Sequence, residues 1–417
     1  MIGKFLNRIS KSINFLTNKI QKRIDYNKCF RVVSLKSPQN KGNALLSYRI
    51  EPFLLKPGVP IPNDHTWYWE CLQIAQTFLD LGYNVDVIQF HNEKFEPQKD
   101  YAFFVDIRDR LEALAPKLNP DCVKILHVDI ANMTFRNAAE CNRHLELQQR
   151  RGVTLRPQRY EVPNLGIEYA DCATVLGNNF TVNTFKYANK PTYRIPISTP
   201  VVYPSPVAKD FAAIRQNFLW FGSGGLVLKG LDLALEAFAQ MPECHLTVCG
   251  PISKDAAFTQ AFYKELYETP NIHTHGWIDI NSPEFMEITN NCLGLVYPSA
   301  CEGQSGGVIT CLHAGLIPIL SYESGVDVHD FGAILANCSI PEIIATVQRI
   351  SNLPVETLHT MSQQAWAYAR ANHTRDKFTE VYRHAIEEII LRHHPKIQPT
   401  QTVNAHHKQQ VFTGVYK

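Results

Sequence analysis

The sequence has no long apolar run, no strong excess of charge and no paired cysteine motif. None of its apolar stretches approaches the roughly 18–20 residues that a membrane-spanning helix needs, so we expect no transmembrane segment. A net charge of only +2 argues against a generally basic nucleic-acid-binding protein. We also expect no signal peptide, because Lys and Arg interrupt the first apolar stretches and no small-residue cleavage site follows.

The cysteines lack the spacing of zinc, redox or disulfide sites. There are eleven of them, an odd number, and no two are separated as CxxC. Scattered single cysteines in a long chain are typical of small buried apolar residues in a reducing compartment. We therefore expect a cytoplasmic protein.

What the sequence does contain is the composition of a folded protein. Hydrophobic residues make up 45% of the chain and charged residues 19%, which excludes a disordered chain. At about 100–200 residues per domain, the length suggests two or three domains.

Residues 1–25 differ in character from the rest of the chain. Apolar residues recur there every three or four positions, and six cations lie between them with no acid before Asp25. This pattern predicts a basic amphipathic helix that adsorbs through residues 2–24 to an anionic membrane surface, for example the inner face of the cytoplasmic membrane. The alternative is a helix that packs its apolar stripe on the body of the protein or on another subunit.

From residue 26 onward, strand-like and helix-like segments alternate, which predicts parallel sheets with right-handed crossovers. A Pro-rich stretch near residues 196–206 divides the alternation into two α/β domains, over 26–198 and 199–375. A final helix is expected over 376–392, followed by a polar, disordered tail over 393–417. Open parallel sheets bind ligands at the carboxyl ends of their strands, so we expect a site in the cleft between the domains.

Small residues cluster where strands of the second domain are predicted to end. The clusters are Gly222-Ser223-Gly224-Gly225, then Gly250-Pro251, and the run from Pro298 to Gly307 that leads into a helix. Such residues let backbone N–H groups approach a phosphate, and a helix N-terminus adds positive potential. Lys229 adds a full cation near the first cluster, so we predict a diphosphate-binding floor. The plainer alternatives are a solvated lysine at a helix start and, for Glu302, a loop carboxylate or a capping group.

The segment from Phe218 to about Asn372 resembles the donor-binding domain of retaining family-4 glycosyltransferases, which have the two-domain GT-B architecture. The matching motifs are Phe221-Gly222, Lys229-Gly230-Leu231-Asp232, Glu236-Ala237, Val248-Cys249-Gly250-Pro251, His275-Gly276-Trp277, Tyr297-Pro298-Ser299, Glu302-Gly303, Ala314-Gly315 and Pro318-Ile319. The first half resembles the family only in its strand–helix order and a strand-end histidine. The resemblance implies an α/β fold of two doubly wound Rossmann-like domains facing across a cleft, with helix 376–392 crossing back to complete the N-terminal domain.

The resemblance also implies the reaction and the roles of single residues. A sugar would pass from a nucleotide-sugar donor to a glycan or lipid-linked acceptor with retained anomeric configuration. No metal is expected, since no Asp-x-Asp motif occurs, and no cofactor is expected besides the donor substrate. Lys229 would hold the diphosphate, Glu302 would bind hydroxyls of the donor sugar, and His127 would lie over that sugar. A satisfied histidine at a strand end remains the plainer interpretation of His127. The other implied donor-binding positions are Gly222, Ser223, Gly250, Gln304, Ser305, Gly306, Gly307 and Thr310.

Two positions depart from the family's pattern. Ser223 stands where the family usually carries an arginine, and Thr310 stands where it has a second glutamate that grips the ribose. The missing cation weakens a diphosphate clamp, and Arg159, Arg194 or another basic side chain is a candidate replacement.

The acceptor side is less well marked. The glycine pair that the family carries after its first strand is absent, and His65-Thr66, which follows a Pro-rich loop, is expected to serve there. The departures leave open a catalytically weak or inactive relative that binds a nucleotide sugar or glycan as an assembly partner. A nucleotide-sugar epimerase of the same architecture is disfavoured, because the Lys-Gly and Glu-Gly spacing is that of transferases.

Overall fold

The computed structural model describes residues 29–63, 65–206 and 209–393. The predicted basic helix over residues 1–25 lies outside the described residues, and so does the predicted tail over 393–417 apart from His393. Within the described ranges the chain forms two sheets, one after the other along the sequence. None of the described helices is long and apolar enough to span a membrane.

The first sheet is built from strands that are apolar on both faces. Every residue of β3 and of β4 is buried, as expected of parallel strands covered on both sides. The strands lie in the order β1-β3-β2-β4-β5-β6-β7, and within the described residues β1 alone runs antiparallel to its neighbour. They are β1 (Val32–Leu35), β2 (Asn43–Tyr48), β3 (Asn84–Gln89), β4 (Phe103–Asp106), β5 (Val123–Val128), β6 (Cys172–Leu176) and β7 (Thr192–Ile195).

The second sheet is parallel throughout its described strands. Their order is β10-β9-β8-β11-β12-β13, and Phe218, Leu219 and Trp220 of the central strand β8 are fully buried. The strands are β8 (Asn217–Phe221), β9 (His245–Cys249), β10 (Ile272–Gly276), β11 (Gly294–Tyr297), β12 (Ile317–Ser321) and β13 (Ala333–Leu335).

Helices connect the strands of both sheets. Gly82, with a φ of 102°, turns the chain from the end of α1 into β3, a conformation that glycine adopts at little cost. The helices along the first sheet are α1 (Trp67–Asp80), α2 (Arg110–Leu114), α3 (Met133–Arg151), α4 (Gly166–Tyr169) and α5 (Asn179–Thr184). Those that follow are α6 (Phe211–Ile214), α7 (Leu231–Phe238), α8 (Ala256–Ala261), α9 (Tyr263–Tyr267), α10 (Pro283–Asn290), α11 (Gly306–His313), α12 (Ile340–Ser351), α13 (Val355–Asn372) and α14 (Arg375–His393).

The last helix, α14, returns to the first sheet. Its Phe378 ring lies 5.7 Å from the ring of Trp69 on α1, and its fully buried Tyr382 stacks on Phe378. The chain therefore ends its described part on the domain in which it began.

The structure differs from the predicted elements mainly at the edges of the sheets. Strands β1 and β13 were not predicted, and both are short edge strands with exposed positions, such as Val32 and Ile334. The apolar spacing of the sequence also predicts a single helix over 255–267, where the structure has two short helices that meet at Phe262, with a ψ of 23°. Nine of the cysteines are buried, as their scattered pattern predicts.

Helix α3 bridges the two halves of the molecule through its arginines. Arg136, Arg143 and Arg150 are spaced seven residues apart and therefore lie on one face of the helix. Arg136 donates to the carbonyl of Cys301 at 3.3 Å, and Arg143 donates to that of Pro298 at 2.8 Å. Arg150 pairs with Asp232 at 2.6 Å, and Arg151 with Glu265 at 2.6 Å.

Candidate active site

A cavity of about 610 Å³ lies between the two halves. Loops that follow β8, β9 and β11 form one wall, and loops that follow β4 and β5 contribute to the other. The cavity thus lies at the carboxyl ends of strands from both sheets, where open α/β sheets bind their ligands.

The floor of the cavity holds a buried ion pair between Lys229 and Glu302. The ammonium of Lys229 contacts Oε1 of Glu302 directly and also donates to the hydroxyl of Tyr297 at 2.8 Å. Oε1 of Glu302 accepts from Tyr297 at 2.9 Å and from Ser299 at 3.3 Å as well. Among the described residues, Oε2 of Glu302 accepts no hydrogen bond, so that oxygen remains available to a ligand.

The pKa values of both members of the ion pair are shifted downward. Burial lowers the pKa of Lys229, although the charge of Glu302 opposes that change. Burial by itself would raise the pKa of Glu302, but the Lys229 ammonium and the Arg136 guanidinium outweigh burial and hold that pKa at about 2. Lys229 is 5% exposed and Glu302 is 8% exposed, so both charged groups reach the cavity only with their ends.

The glycine loops form a floor with few protruding side chains. A Cβ atom on Gly250 would lie 2.6 Å from the carbonyl oxygen of Gly222, so only glycine lets these two loops touch. Gly222, Gly250 and the exposed Ser223 all line the cavity. Backbone groups therefore remain open to a ligand here, as in known phosphate-binding loops.

Helix α11 points its N-terminus at the cavity. Ser305 caps the helix by accepting from the amide of Val308 at 3.5 Å, and Gly306 and Gly307 in the first turn line the cavity. First-turn amides have no intrahelical partner, so they give this end of the helix a positive potential. Thr310 also lines the cavity, and its hydroxyl donates to the carbonyl of Gly306 at 2.9 Å.

The comparisons with known proteins concern the fold. No family model and no curated protein sequence matches the chain. Sucrose-phosphate synthase from Thermosynechococcus elongatus superposes with a TM-score of 0.59 at 15% identity, over 85% of this chain and 100% of that one. HepE from Anabaena in complex with UDP-glucose gives 0.53 at 12% identity, over 83% and 99%. WaaG, a glycosyltransferase involved in lipopolysaccharide biosynthesis, gives 0.50 at 14% identity, over 82% and 98%.

The chain has the GT-B fold. The predicted fold class, two doubly wound domains facing across a cleft, is thereby confirmed. All of the predicted donor-binding positions lie in loops that follow strands of the second sheet or in helix α11, and every one of them lines the cavity. The side chain of Gln304 is also tied to the linker, since its Oε1 accepts from the amide of Ile197 at 2.7 Å.

The first half of the GT-B fold contributes His65 and Thr66 to the opposite wall. The imidazole of His65 lies 4.2 Å from the ring of Trp67, measured between centroids, and its Nδ1 accepts from the amide of Trp67 at 3.2 Å. Thr66 donates to the buried carboxylate of Glu70 at 3.3 Å. Both residues thus lie at the start of α1, across the cavity from the ion pair.

His127, which is predicted to lie over the donor sugar, is not among the residues that the structure brings together at the cavity. Its side chain is fully buried on β5 and is absent from the cavity wall. Nδ1 shares a hydrogen bond of 2.8 Å with the hydroxyl of Thr174, and Tyr382 of α14 lies against the ring. Burial lowers the pKa of His127 to about 4, so the imidazole is neutral. This burial agrees with the plainer interpretation of a histidine within the sheet, except that its buried Nε2 has no hydrogen-bond partner among the described residues.

An ionic network on the first wall was not predicted. Arg108 donates to Asp129 at 3.1 Å and lies 3.6 Å from Oε2 of Glu161, whose other oxygen, Oε1, lies 3.4 Å from Arg136. All four side chains line the cavity. Arg108 and Asp129 each follow a strand by one or two residues. They could therefore have been predicted by listing the residues at the carboxyl ends of the strands of the first sheet, as for the second. Glu161 lies in a loop between two helices, where the sequence carries no such signal.

The two arginines considered as replacements for a cation at Ser223 have different positions. Arg194 donates to Asp327 at 2.7 Å and is absent from the cavity wall. Arg159 lines the cavity on the side of the Gly222–Gly225 loop.

Proposed function

We propose that the chain is a glycosyltransferase which moves a sugar from a nucleotide-sugar donor to a glycan or lipid-linked acceptor. The observation that carries this proposal is the buried pair of Lys229 and Glu302 at the carboxyl ends of the second sheet of a GT-B fold. The pair joins a fixed cation to a fixed carboxylate beside loops without bulky side chains, which suits a ligand that carries a diphosphate next to hydroxyl groups.

In this proposal each member of the pair binds a different part of the donor. Lys229 stabilises the diphosphate, on which negative charge grows as the bond to the sugar breaks. A cation fixed at that point favours the transition state over the ground state and so accelerates the transfer. Glu302 keeps its position through Tyr297 and Ser299, while its second oxygen accepts hydrogen bonds from hydroxyls of the donor sugar.

We further propose that the reaction retains the anomeric configuration and needs no metal ion. The resemblance to retaining family 4 supports retention. Lys229 and the N-terminus of α11 supply positive potential on the diphosphate side. This potential stabilises the negative charge of the diphosphate, as a metal ion would. His65, Thr66 and the Arg108–Asp129 pair are proposed to face the acceptor from the opposite wall.

The first test is a thermal-shift screen against nucleoside diphosphates, because a ligand that binds only the folded state raises the apparent melting temperature. We expect at least one diphosphate to raise it and the matching nucleoside to raise it less. The corresponding nucleotide sugar then serves as donor in an assay with a glycan panel, with and without a chelator. Nuclear magnetic resonance of the product gives the configuration of the new bond. A protein that none of the diphosphates stabilises would contradict the proposal.

The alternative, an inactive relative that only binds a nucleotide sugar or glycan, is separated by the same assay. Such a protein would be stabilised by the donor but would form no glycosylated product. It is not favoured, because Lys229, Glu302 and the helix N-terminus lie together on the cavity wall.

A further inference from the structure

Arg159 reaches the donor side of the cavity from the opposite half of the molecule. It lies in the loop between α3 and α4, which belongs to the first domain, yet its side chain extends over Gly225 in the second. A Cβ atom on Gly225 would come within 2.4 Å of Cγ of Arg159, so the glycine, whose φ is 86°, leaves the space that this arginine occupies.

The backbone around Arg159 is held firmly by α3. Oε1 of Glu140 accepts from the amide of Gln158 at 2.7 Å and from that of Arg159 at 3.0 Å. Arg136 donates to the carbonyl of Arg159 at 3.1 Å. Glu161 is tied to Asn137 through both its amide and its carbonyl. The side chain is therefore presented from a fixed backbone.

The guanidinium itself has no anionic partner among the described residues. Its Nε is buried and makes no hydrogen bond, and no carboxylate of the described chain lies within salt-bridge distance of it. The guanidinium is nevertheless close to Lys229. Burial is the main cause that lowers the pKa of Lys229, and the positive charge of Arg159 lowers it further, although the attraction of Glu302 acts in the opposite direction. Arg159 and Lys229 thus line the same cavity, and because the Arg159 guanidinium has no carboxylate of its own in the described part of the chain, a bound anion would give it a partner.

We propose that Arg159 supplies the second cation of the diphosphate site, from the opposite domain, in place of the arginine that Ser223 replaces. The proposal rests on the proposed function, because it assigns a partner to the diphosphate of that donor. Ser223 is short, exposed and uncharged, so the Gly222–Gly225 segment that carries it places no positive side chain beside the diphosphate. The site is then complete only when loops of both domains enclose it.

The test measures binding of a nucleoside diphosphate and of the matching nucleoside by isothermal titration calorimetry, with the diphosphate identified in the thermal-shift screen. Arg159→Ala should weaken diphosphate binding by at least tenfold and change nucleoside binding by less than twofold. Arg159→Lys should recover part of the loss. The matched control is Arg156→Ala, which removes an exposed arginine three residues earlier on the same loop and should change neither affinity.

A rescue variant distinguishes charge from loop structure. Ser223→Arg restores a cation on the glycine loop, so Ser223→Arg combined with Arg159→Ala should bind the diphosphate more tightly than Arg159→Ala alone. If Arg159→Ala weakens nucleoside and diphosphate equally, or if the second arginine rescues nothing, Arg159 only positions the loop and the inference is overturned.

Lys229→Ala separates failure of this inference from failure of the proposed function. If Lys229→Ala weakens diphosphate binding and Arg159→Ala behaves like Arg156→Ala, the function stands and the role of Arg159 is rejected. If Lys229→Ala leaves binding unchanged, or if wild-type protein binds no nucleoside diphosphate, the donor site is not here and both proposals are overturned.

Discussion

At the scale of single residues, Lys229 is expected to contribute most to turnover in the proposed site. Because Ser223 contributes no charge, Lys229→Ala should reduce turnover by the ~100–1000-fold typical of losing a preorganised contact to a developing charge. Glu302→Gln keeps the size of the side chain and loses its charge, so it should lower turnover with little change in melting temperature. Both variants are assayed with the donor identified in the screen.

The control for these two variants is Lys186→Ala, since Lys186 is exposed and belongs to the opposite domain. It should leave turnover unchanged. Turnover of Lys229→Ala within threefold of wild type would mean that the diphosphate is bound elsewhere.

Thr310 offers a test of the nucleotide's ribose contact. Its hydroxyl is already engaged with the carbonyl of Gly306, so it has little capacity left for a ligand. A neutral hydrogen bond contributes about 0.5–1.5 kcal/mol and one to a charged group about 1.5–3 kcal/mol. Thr310→Glu should therefore tighten nucleoside diphosphate binding by roughly fivefold, measured by calorimetry. An unchanged or weaker affinity would indicate that the ribose lies away from this position.

Glu70 predicts a pH dependence of stability. Its carboxylate accepts from the amide and the hydroxyl of Ser198 at 3.0 Å and 2.9 Å, and burial raises its pKa from 4.5 to about 7. The folded protein therefore keeps a proton that the unfolded chain releases. The stability linked to this proton is fully present below about pH 4.5 and is lost as the pH rises to about 7.

Glu70→Gln removes that titration and retains an acceptor for Ser198. Relative to wild type, the variant should gain melting temperature between pH 5 and pH 8, measured by differential scanning fluorimetry. The exposed Glu93→Gln serves as control and should follow the wild-type curve. Parallel curves for Glu70→Gln and wild type would contradict the assigned titration.

At the scale of secondary-structure elements, the sequence predicts correctly the strands and helices that are long and bounded by turn residues. The sequence pattern predicts strands over 123–128 and 245–249 and helices over 67–81 and 356–371. The structure places β5, β9, α1 and α13 within a residue of these bounds, because the apolar runs end there at glycine, proline or polar residues. The strands β1 and β13 escaped prediction because a short edge strand buries little and so carries little pattern.

The site divides in the same way between its two walls. The wall proposed to bind the donor could be predicted from the glycine loops and from the location of ligand sites at the carboxyl ends of strands. The proposed role of Arg159 depends instead on how the two domains meet, which local sequence does not encode. The placement of His127 away from the cavity wall has a physical reason as well. A parallel strand is covered on both faces, so the side chain near its end can point into the core as readily as into the cleft.

The basic amphipathic pattern of residues 2–24 predicts that this single segment binds the protein to anionic membranes. Deleting it should abolish sedimentation with anionic vesicles, since each cation near such a surface contributes about 1 kcal/mol. Sedimentation with zwitterionic vesicles should be weak for both proteins, and the melting temperature should not change. A truncated protein that unfolds or aggregates would show instead that the apolar stripe packs on the protein body.

At the scale of the whole molecule, the site depends on the contact between domains as much as on either sheet. The floor of the proposed donor site belongs to the second domain, while Arg136 and Arg159 reach it from the first. Besides α3, the hydroxyl of Thr181 on α5 donates to the carbonyl of Gly303 at 2.7 Å, directly beside Glu302. A change in the angle between the domains would therefore alter the charges around the donor.

The arginines of α3 also constrain how the two domains can diverge in evolution. Arg136 and Arg143 bind backbone carbonyls of Cys301 and Pro298, and a carbonyl is present whatever side chain the residue carries. These contacts would survive most substitutions on the donor domain and require only that the arginines persist. Arg150 binds carboxylates instead, so its partners must change together with it, whereas Arg151 binds both the carboxylate of Glu265 and the carbonyl of Ala261. The carbonyl contacts of Arg136 and Arg143 thus depend on the arginines alone, which would let the loops of the second domain change in sequence without losing their alignment with the first domain.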